Sequence, residues 1–166
     1  VLMARRTRDA AFAGGAFVFP GGALDAQDHH SDLAALCTGL DDAAASAHLG
    51  VASGGLGYWI AAIRESFEEA GLLLAQRPDG ELLRVGDLDA PVFVAARRAI
   101  EAGDATLLSF AQRHALRLAT DRVHYFSHWI TQAGRPRRFD TRFFIAEAPP
   151  HQAPAHDGSE LVEHVW

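Results

Sequence analysis

Three glutamates within five residues, on a segment that also carries an apolar stripe, constrain this chain more than any other feature. On a helical wheel, four apolar residues fall on one face and the three carboxylates fall on the far side: Ile60, Ile63, Phe67 and Ala70 against Glu65, Glu68 and Glu69. Gly71 follows, in the position favoured for a left-handed helix cap. The pattern predicts a helix with one face in the core and a cluster of negative charge on the other.

The acidic face of this helix needs a compensating positive charge. Glu65 and Glu69 stand four residues apart, and like charges at that spacing destabilise an isolated helix by about 0.2–0.5 kcal/mol. Magnesium is a natural counterion, because it is a hard cation that takes a few carboxylate oxygens together with water and substrate phosphates. The alternative is a solvated acidic face that binds nothing, which is what most glutamate-rich helices present.

A second segment, upstream, favours the metal site over the solvated face. The sequence Phe17-Val-Phe-Pro-Gly-Gly22 is a short apolar strand that runs into a Pro-Gly-Gly turn. Glycine has no side chain, so a backbone carbonyl in such a turn can approach a ligand closely. The turn therefore offers a further oxygen ligand for the same metal.

Together the two segments resemble the signature of the Nudix hydrolases. That signature is a Gly, five residues, a Glu, seven residues and then Arg-Glu-apolar-any-Glu-Glu-any-Gly-apolar. Here Gly22 begins it, and the second half is Arg64-Glu-Ser-Phe-Glu-Glu-Ala-Gly-Leu72. The first half departs from the pattern, because Asp28 replaces the first Glu and residues 29–63 separate it from Arg64.

The long insertion is itself similar to a branch of the family that includes coenzyme A diphosphatases. That branch also carries Phe-Pro-Gly-Gly, an Asp-rich turn, a long insert and Ala-Ile-Arg-Glu. Three downstream segments match it as well: 110–114, 128–131 and 137–144. The resemblance implies an α+β fold, a Nudix-type α/β/α sandwich with a mixed β-sheet, in a single domain over 1–166 with a helical insert at 29–58.

The resemblance also implies roles for the signature residues. Glu65, Glu68 and Glu69 would bind a divalent metal, Mg²⁺ or Mn²⁺, with the carbonyl of Gly21 as a further ligand. Metal-bound water would then attack the diphosphate.

Arg64, also in the signature, would not touch the substrate. By analogy with the family, it pairs with the carboxylate at the first-half position, here Asp28, and holds the glycine turn against the helix. Asp is one methylene shorter than the usual Glu, so the geometry of this pairing is open.

Two further groups of residues are candidates for the reaction. The family often uses a later carboxylate as a ligand or general base, and Asp157 and Glu160 are the candidates here; solvated loop residues are the alternative. Arg138 and Arg142 lie in the basic stretch of an otherwise acidic chain, and guanidinium groups suit phosphate. We expect these two arginines to contact the substrate.

The function implied is cleavage of a diphosphate linkage in a nucleotide-containing metabolite, with coenzyme A or an acyl-coenzyme A as the leading substrate. The partner is then a small nucleoside diphosphate derivative. The alternative is a catalytically silent Nudix-fold module that binds a nucleotide and regulates a partner. The intact carboxylates favour the enzyme, because a module that only binds has no use for an acidic metal site.

The composition of the chain limits the classes of partner and the cellular compartment that we expect. The chain has 166 residues, a formal charge of −6 and 15 basic residues, all of them Arg, which argues against a general nucleic-acid surface. The single Cys excludes an internal disulfide, and no apolar run approaches the roughly 20 residues needed to span a bilayer. We therefore expect a cytoplasmic protein that does not enter the membrane. We also expect that the chain begins inside a longer sequence and that a homodimer is possible.

Periodicity places the remaining elements. Strands are expected at 1–4 and 16–19, short helices in the insert near 33–40 and 41–47, and helices at 93–102 and 105–114. A hairpin of 123–131 and 137–147 places Phe139, Thr141 and Phe143 on one face, and Tyr125 and Trp129 together on one face of its first strand. The insert is expected to be either a lid over the site or a disordered decoration.

Overall fold

The computed structural model describes residues 1–10, 13–84, 86, 90–135, 137–155 and 161–166. The helices are α1 (Ser31–Ala35), α2 (Asp42–Leu49), α3 (Leu56–Ala70), α4 (Ala90–Glu101) and α5 (Leu107–Arg113). The strands are β1 (Met3–Arg6), β2 (Phe17–Val18), β3 (Ala75–Gln76), β4 (Arg117–Leu118), β5 (Val123–Ile130), β6 (Asp140–Ala146) and β7 (Leu161–Val165). Short 3₁₀ turns lie at Ala26–His29 and Thr120–Arg122. Each predicted helix and strand is present, with ends that differ by a few residues.

Helix α3 is the central element, and its apolar face is buried as predicted. Ile60, Ile63 and Phe67 are almost completely buried, whereas the three glutamates remain partly exposed. Gly71 ends the helix with φ 68°, a left-handed conformation that glycine adopts without steric cost. Burial of one stripe and exposure of the other thus fix the orientation of the acidic face.

The strands described pair in three antiparallel groups. Their orders are β2-β1-β7, β3-β4 and β5-β6, and a parallel bridge joins Cys37 to Leu118. The hairpin β5-β6 packs on α3, where Phe144 makes an edge-to-face contact with Trp59 at 4.9 Å between ring centroids. The indole N–H of Trp59 donates to the carbonyl of Val123, 2.8 Å away. The hairpin is therefore attached to the same helix that carries the glutamates.

A β-bulge at Phe126 changes which side of β5 faces the helix. Tyr125 pairs with Phe144, but Ser127 pairs with Phe143, so Phe126 is an extra residue without a partner. Beyond the bulge, Trp129 pairs with Thr141, on the face away from α3. The prediction that Tyr125 and Trp129 share a face is wrong, because the extra residue shifts the alternation by one place.

The insert is packed into the core rather than suspended over the protein. Leu33 of α1 and Ala45 and Leu49 of α2 are buried in the same cluster as α3. The carboxylate of Asp42 accepts hydrogen bonds from the backbone N–H groups of Gly54 (2.9 Å) and Leu56 (3.0 Å) at the start of α3. The insert is therefore not a disordered decoration.

Within the described part of the chain, no helix is both long and apolar enough to cross a bilayer.

Candidate active site

The glycine turn lies directly against the acidic face of α3. The backbone N–H of Gly21 donates to Oε2 of Glu69 at 2.8 Å. A Cβ placed on Gly22 would collide with the carboxylate of Glu65, so a larger residue at this position would have to displace that carboxylate. The two segments singled out from the sequence are thus in contact.

The predicted pairing of Arg64 with Asp28 is present. Nε of Arg64 donates to Oδ1 of Asp28 at 2.9 Å, and the terminal NH2 donates to Oδ2 at 3.0 Å. The same NH2 donates to the carbonyl of Ala23, also at 3.0 Å. Both side chains are buried, with 6% of Arg64 and none of Asp28 exposed. The bidentate geometry shows that Asp reaches the arginine despite being shorter than Glu.

Local structure explains how Asp28 reaches that position. Asp25 and Asp28 form a reciprocal capping box around the turn Ala26–His29. In this box the backbone N–H of Asp25 donates to Oδ2 of Asp28 at 2.8 Å, so that oxygen accepts from both Asp25 and Arg64. The turn therefore holds the carboxylate of Asp28 in the orientation in which it accepts from Arg64.

Arg64 also contacts two of the three glutamates. One terminal nitrogen lies 2.8 Å from Oε1 of Glu65 and 3.3 Å from Oε2 of Glu68. Burial by itself lowers the pKa of Arg64, but the hydrogen bond and charge of Asp28, together with Glu65 and Glu68, outweigh it and raise that pKa. Burial raises the pKa of Glu68, Arg64 opposes this, and the neighbouring Glu65 adds to it. The arginine is thus a charged residue that partly neutralises the acidic face.

This arrangement holds the carboxylates away from a common centre. Among the residues that the structure describes, no group of three His, Cys, Asp or Glu side chains converges on a metal position. Glu65 and Glu68 are directed to Arg64, and Glu69 to the N–H of Gly21. Joint coordination of one ion therefore requires the glutamate side chains to exchange these contacts for the metal.

The C-terminal end of α3 is held by a residue that sequence reasoning missed. Arg97 of α4 is buried, and its guanidinium donates to the carbonyls of Glu68 (2.8 Å) and Glu69 (2.9 Å). A cation at this end also complements the helix dipole. Arg97 lies about thirty residues after Glu68 and Glu69 in the sequence. The only signal for its role in the sequence is a charged residue within an otherwise apolar helical segment.

The two arginines expected to bind substrate have different surroundings. Arg142 stacks over the ring of Tyr58 at 4.6 Å, and its NH1 lies 2.9 Å from Oδ1 of Asp140. Tyr58 precedes Glu65 on α3 by seven residues, or about two turns, so both lie on the same side of the helix. Arg138 instead donates from Nε to the carbonyl of Thr131 across the hairpin. Arg142 is therefore the one that lies along the acidic face of α3.

The other two candidates, Asp157 and Glu160, lie outside the described residues. The preceding segment is attached to the end of α3, because the N–H of Ala155 donates to the carbonyl of Ala70 at 2.9 Å. The side chain of Gln152 bonds the backbone of Leu73 at 2.8 and 3.0 Å. Both attachments lie beside the helix end that carries the glutamates.

A glycine turn held against an acidic helix by a buried Arg–Asp pair is the arrangement of a Nudix domain, and comparison with known proteins agrees. The chain belongs to the NUDT19 Nudix domain family, whose model matches residues 42–166. The match begins after Gly22 and Asp28. The first half of the signature is therefore supported by the contacts above and not by the family model.

Two curated relatives carry the name acyl-coenzyme A diphosphatase NUDT19. The Homo sapiens protein is 31% identical over 205 residues, and the Xenopus laevis protein is 27% identical over 196 residues. Each alignment covers 100% of this chain and 52% of the relative. The chain thus spans about half the length of the curated relatives it matches.

A solved structure supports the fold independently. The Nudix hydrolase from Alicyclobacillus acidocaldarius matches with a TM-score of 0.75 and 25% identity, over 99% of this chain and 69% of that one. The α+β Nudix fold predicted from the sequence is therefore confirmed.

Proposed function

We propose that this chain is a metal-dependent hydrolase that cleaves the diphosphate bond of coenzyme A or an acyl-coenzyme A. The observation that carries the proposal is the contact of the glycine turn with Glu65 and Glu69, locked by Arg64 and Asp28. The names of the curated relatives support the substrate class. We take residues 1–166 as one catalytic domain in which 29–58 is an insert.

The acidic face suits a hard divalent cation. Nudix hydrolases generally use divalent metal ions. We assign Mg²⁺ or Mn²⁺ to the oxygens of Glu65, Glu68 and Glu69, with the carbonyl of Gly21 as a further ligand, because carboxylate and carbonyl oxygens are what such ions prefer. A bound ion of this kind lowers the pKa of its water and stabilises charge on the leaving phosphoryl oxygen.

The chain's own residues would position the reactants and move the proton. Arg64 and Asp28 hold the turn in place as positioning residues. The oxygen of water forms the new bond to phosphorus, the anhydride P–O bond breaks, and the water proton passes to a base. Asp157 and Glu160 are our candidates for that base. We propose that Arg138 and Arg142 contact the anionic substrate.

A hydrolysis assay tests this function directly. Purified chain would be incubated with coenzyme A, an acyl-coenzyme A, NADH, ADP-ribose and a nucleotide sugar, with and without magnesium, and the phosphorylated products separated. For coenzyme A, we expect magnesium-dependent release of adenosine 3′,5′-bisphosphate and phosphopantetheine. Glu69→Gln serves as the active-site variant, and Glu101→Gln, on the exposed end of α4, as its charge-matched control.

The possible results test the substrate class, the metal site and the hydrolytic activity separately. A clear preference for NADH or ADP-ribose would contradict the substrate class but keep the diphosphate chemistry. Turnover that is equal in Glu69→Gln and Glu101→Gln would contradict the metal site. Nucleotide binding without turnover on any compound would favour the silent module.

A further inference from the structure

A cavity of about 550 Å³ lies between the β2-β1-β7 sheet and the face of the β5-β6 hairpin that points away from α3. Five aromatic residues contribute to its walls: Phe17, Phe19, Trp129, Phe139 and Phe143. The volume is within the range of about 300–1,000 Å³ that small-molecule sites occupy. The hydrolytic site described above does not account for it.

The aromatic walls of this cavity are unusually open to solvent. Trp129 is 69% exposed, and Phe17, Phe19 and Phe139 are between 40% and 48% exposed. Phe19 and Phe143 meet edge to face across the opening, 5.9 Å between ring centroids. Exposed apolar patches mark interaction surfaces, and ligand-binding grooves are one kind of such surface.

Two cations also line the cavity. Arg6 and Arg137 contribute to its wall, and none of the described residues lining it is Asp or Glu. No ion pair joins either arginine to a carboxylate in the described part of the chain, and the buried Nε of Arg6 has no hydrogen-bond partner there. The cavity is thus locally positive in a chain whose formal charge is −6.

The wall of the cavity includes the segment that leads into the glycine turn. Phe19 forms part of the wall, and Gly21, two residues later, donates to Glu69. Two residues span at most about 7 Å, so the backbone of the cavity wall at Phe19 lies within about 7 Å of the turn residue that bonds Glu69.

We propose that this cavity binds the 3′-phosphorylated adenosine of the substrate, an inference that rests on the proposed function. The flat rings would stack on the purine, and Arg6 and Arg137 would bind the 3′-phosphate. The ribose 5′ side, which carries the scissile diphosphate, then points towards Glu69. An acyl chain would use the same apolar walls but leave both arginines without an anion, so the observations favour the nucleotide.

Binding measured without metal tests the cavity separately from catalysis. The probe is adenosine 3′,5′-bisphosphate, titrated calorimetrically into the full chain, with 5′-AMP as the ligand that lacks the 3′-phosphate. We expect wild type to prefer the bisphosphate by about tenfold or more, the scale of a charge-assisted contact. Arg137→Ala should remove most of that preference, and Trp129→Ala should weaken both ligands.

The matched control is Arg135→Ala, which removes the same charge from the exposed hairpin turn but does not line the cavity. It should change the dissociation constant by less than about twofold. If Arg135→Ala and Arg137→Ala weaken binding of the bisphosphate equally, the proposal is overturned, because the effect would then be a general electrostatic attraction and not a contact inside the cavity. Equal affinity of wild type for the two nucleotides would also overturn it.

Two additional measurements separate the remaining outcomes. Decanoate is titrated as an aliphatic probe; if it binds in a Trp129-dependent manner and the bisphosphate does not, the cavity takes an acyl chain and the nucleotide assignment is overturned. Turnover of coenzyme A with magnesium is measured on the same variants. If wild type turns over coenzyme A but neither Arg137→Ala nor Trp129→Ala affects binding, the cavity proposal alone is rejected. If the bisphosphate binds selectively but no turnover is seen, the proposed hydrolase function is rejected and the cavity stands as a nucleotide-binding site.

Discussion

Arg64 and Asp28 form a buried bidentate ion pair that joins α3 to the turn that follows the glycine segment, with N–O distances of 2.9 and 3.0 Å. Neither side chain has appreciable contact with solvent. Removal of one partner leaves the other charge buried, and such changes cost about 3–5 kcal/mol. The pair therefore has a structural effect that is separable from that of the three glutamates that we assign to the metal.

The first prediction concerns this pair. Asp28→Ala should lower the free energy of unfolding by about 3–5 kcal/mol, because Arg64 loses two hydrogen bonds in a buried setting. Urea denaturation measures the change. The exposed pair of Arg5 and Glu163 is the control, and Glu163→Ala should cost no more than about 1 kcal/mol. Similar costs at the two sites would contradict the structural role given to Asp28.

The second prediction concerns the glutamates. Glu65→Gln, Glu68→Gln and Glu69→Gln should each reduce turnover by more than about 100-fold, since the loss of groups that only support metal ligands already costs 10–100-fold. The melting temperature of Glu69→Gln should hold or rise, because charge repulsion on α3 is relieved. Steady-state kinetics and thermal unfolding on the same samples check both parts. Near-normal activity, or loss of folding, would count against the assignment.

The third prediction concerns metal binding. Magnesium or manganese should raise the melting temperature of wild type, by an amount that corresponds to about 2.7 kcal/mol at one hundred times the dissociation constant. Calcium should stabilise the fold but support little turnover. The shift should be much smaller in Glu69→Gln. A thermal scan of wild type that is unchanged at millimolar metal would exclude the site.

The fourth prediction concerns Asp42 and pH. Hydrogen bonds from the N–H groups of Leu56 and Gly54 lower the pKa of Asp42 below its usual value. A carboxyl whose pKa is lowered by folding stabilises the protein above its unfolded-state pKa, near 3.8, and this contribution is lost as the pH falls through the lower folded-state value. Asp42→Asn should therefore flatten the loss of stability below about pH 4.

A deletion of the same side chain tests the hydrogen bonds themselves. Asp42→Ala should destabilise the protein at pH 7 by about 1–3 kcal/mol, as expected for lost hydrogen bonds to a charged group. Asp104→Ala, at an exposed position, is the control. Denaturation curves that coincide for Asp42→Ala and wild type would show that the contact does not support α3.

The fifth prediction concerns Cys37. Burial raises the pKa of its thiol to about 11, against smaller opposing effects of Thr120 and Arg117. The thiolate is the reactive form, and at pH 8 it would be less than about 1% of the population. Iodoacetamide should therefore leave the native protein unmodified and label one thiol per chain in denaturant. Rapid labelling of the native chain would show that Cys37 is accessible.

Local patterns predicted much of the site, and long-range packing decided the rest. The acidic face of α3 follows from helical periodicity, and the pairing of Arg64 with Asp28 came from the family resemblance. The cap by Arg97 could not be predicted, because α4 must first dock on α3. The bulge at Phe126 was missed for a different reason: strand alternation shows which residues share a face only while the register is regular.

The bulge also bears on how the substrate range of such a domain can change. A substitution at Trp129 alters one part of a pocket, but one residue inserted in β6 between Phe143 and Phe144, as a partner for Phe126, would make the ladder regular and turn Trp129 towards α3. His128 would turn outward in exchange. A change of one residue in length can therefore replace a whole row of pocket-lining side chains in a single mutational step, with every original residue kept.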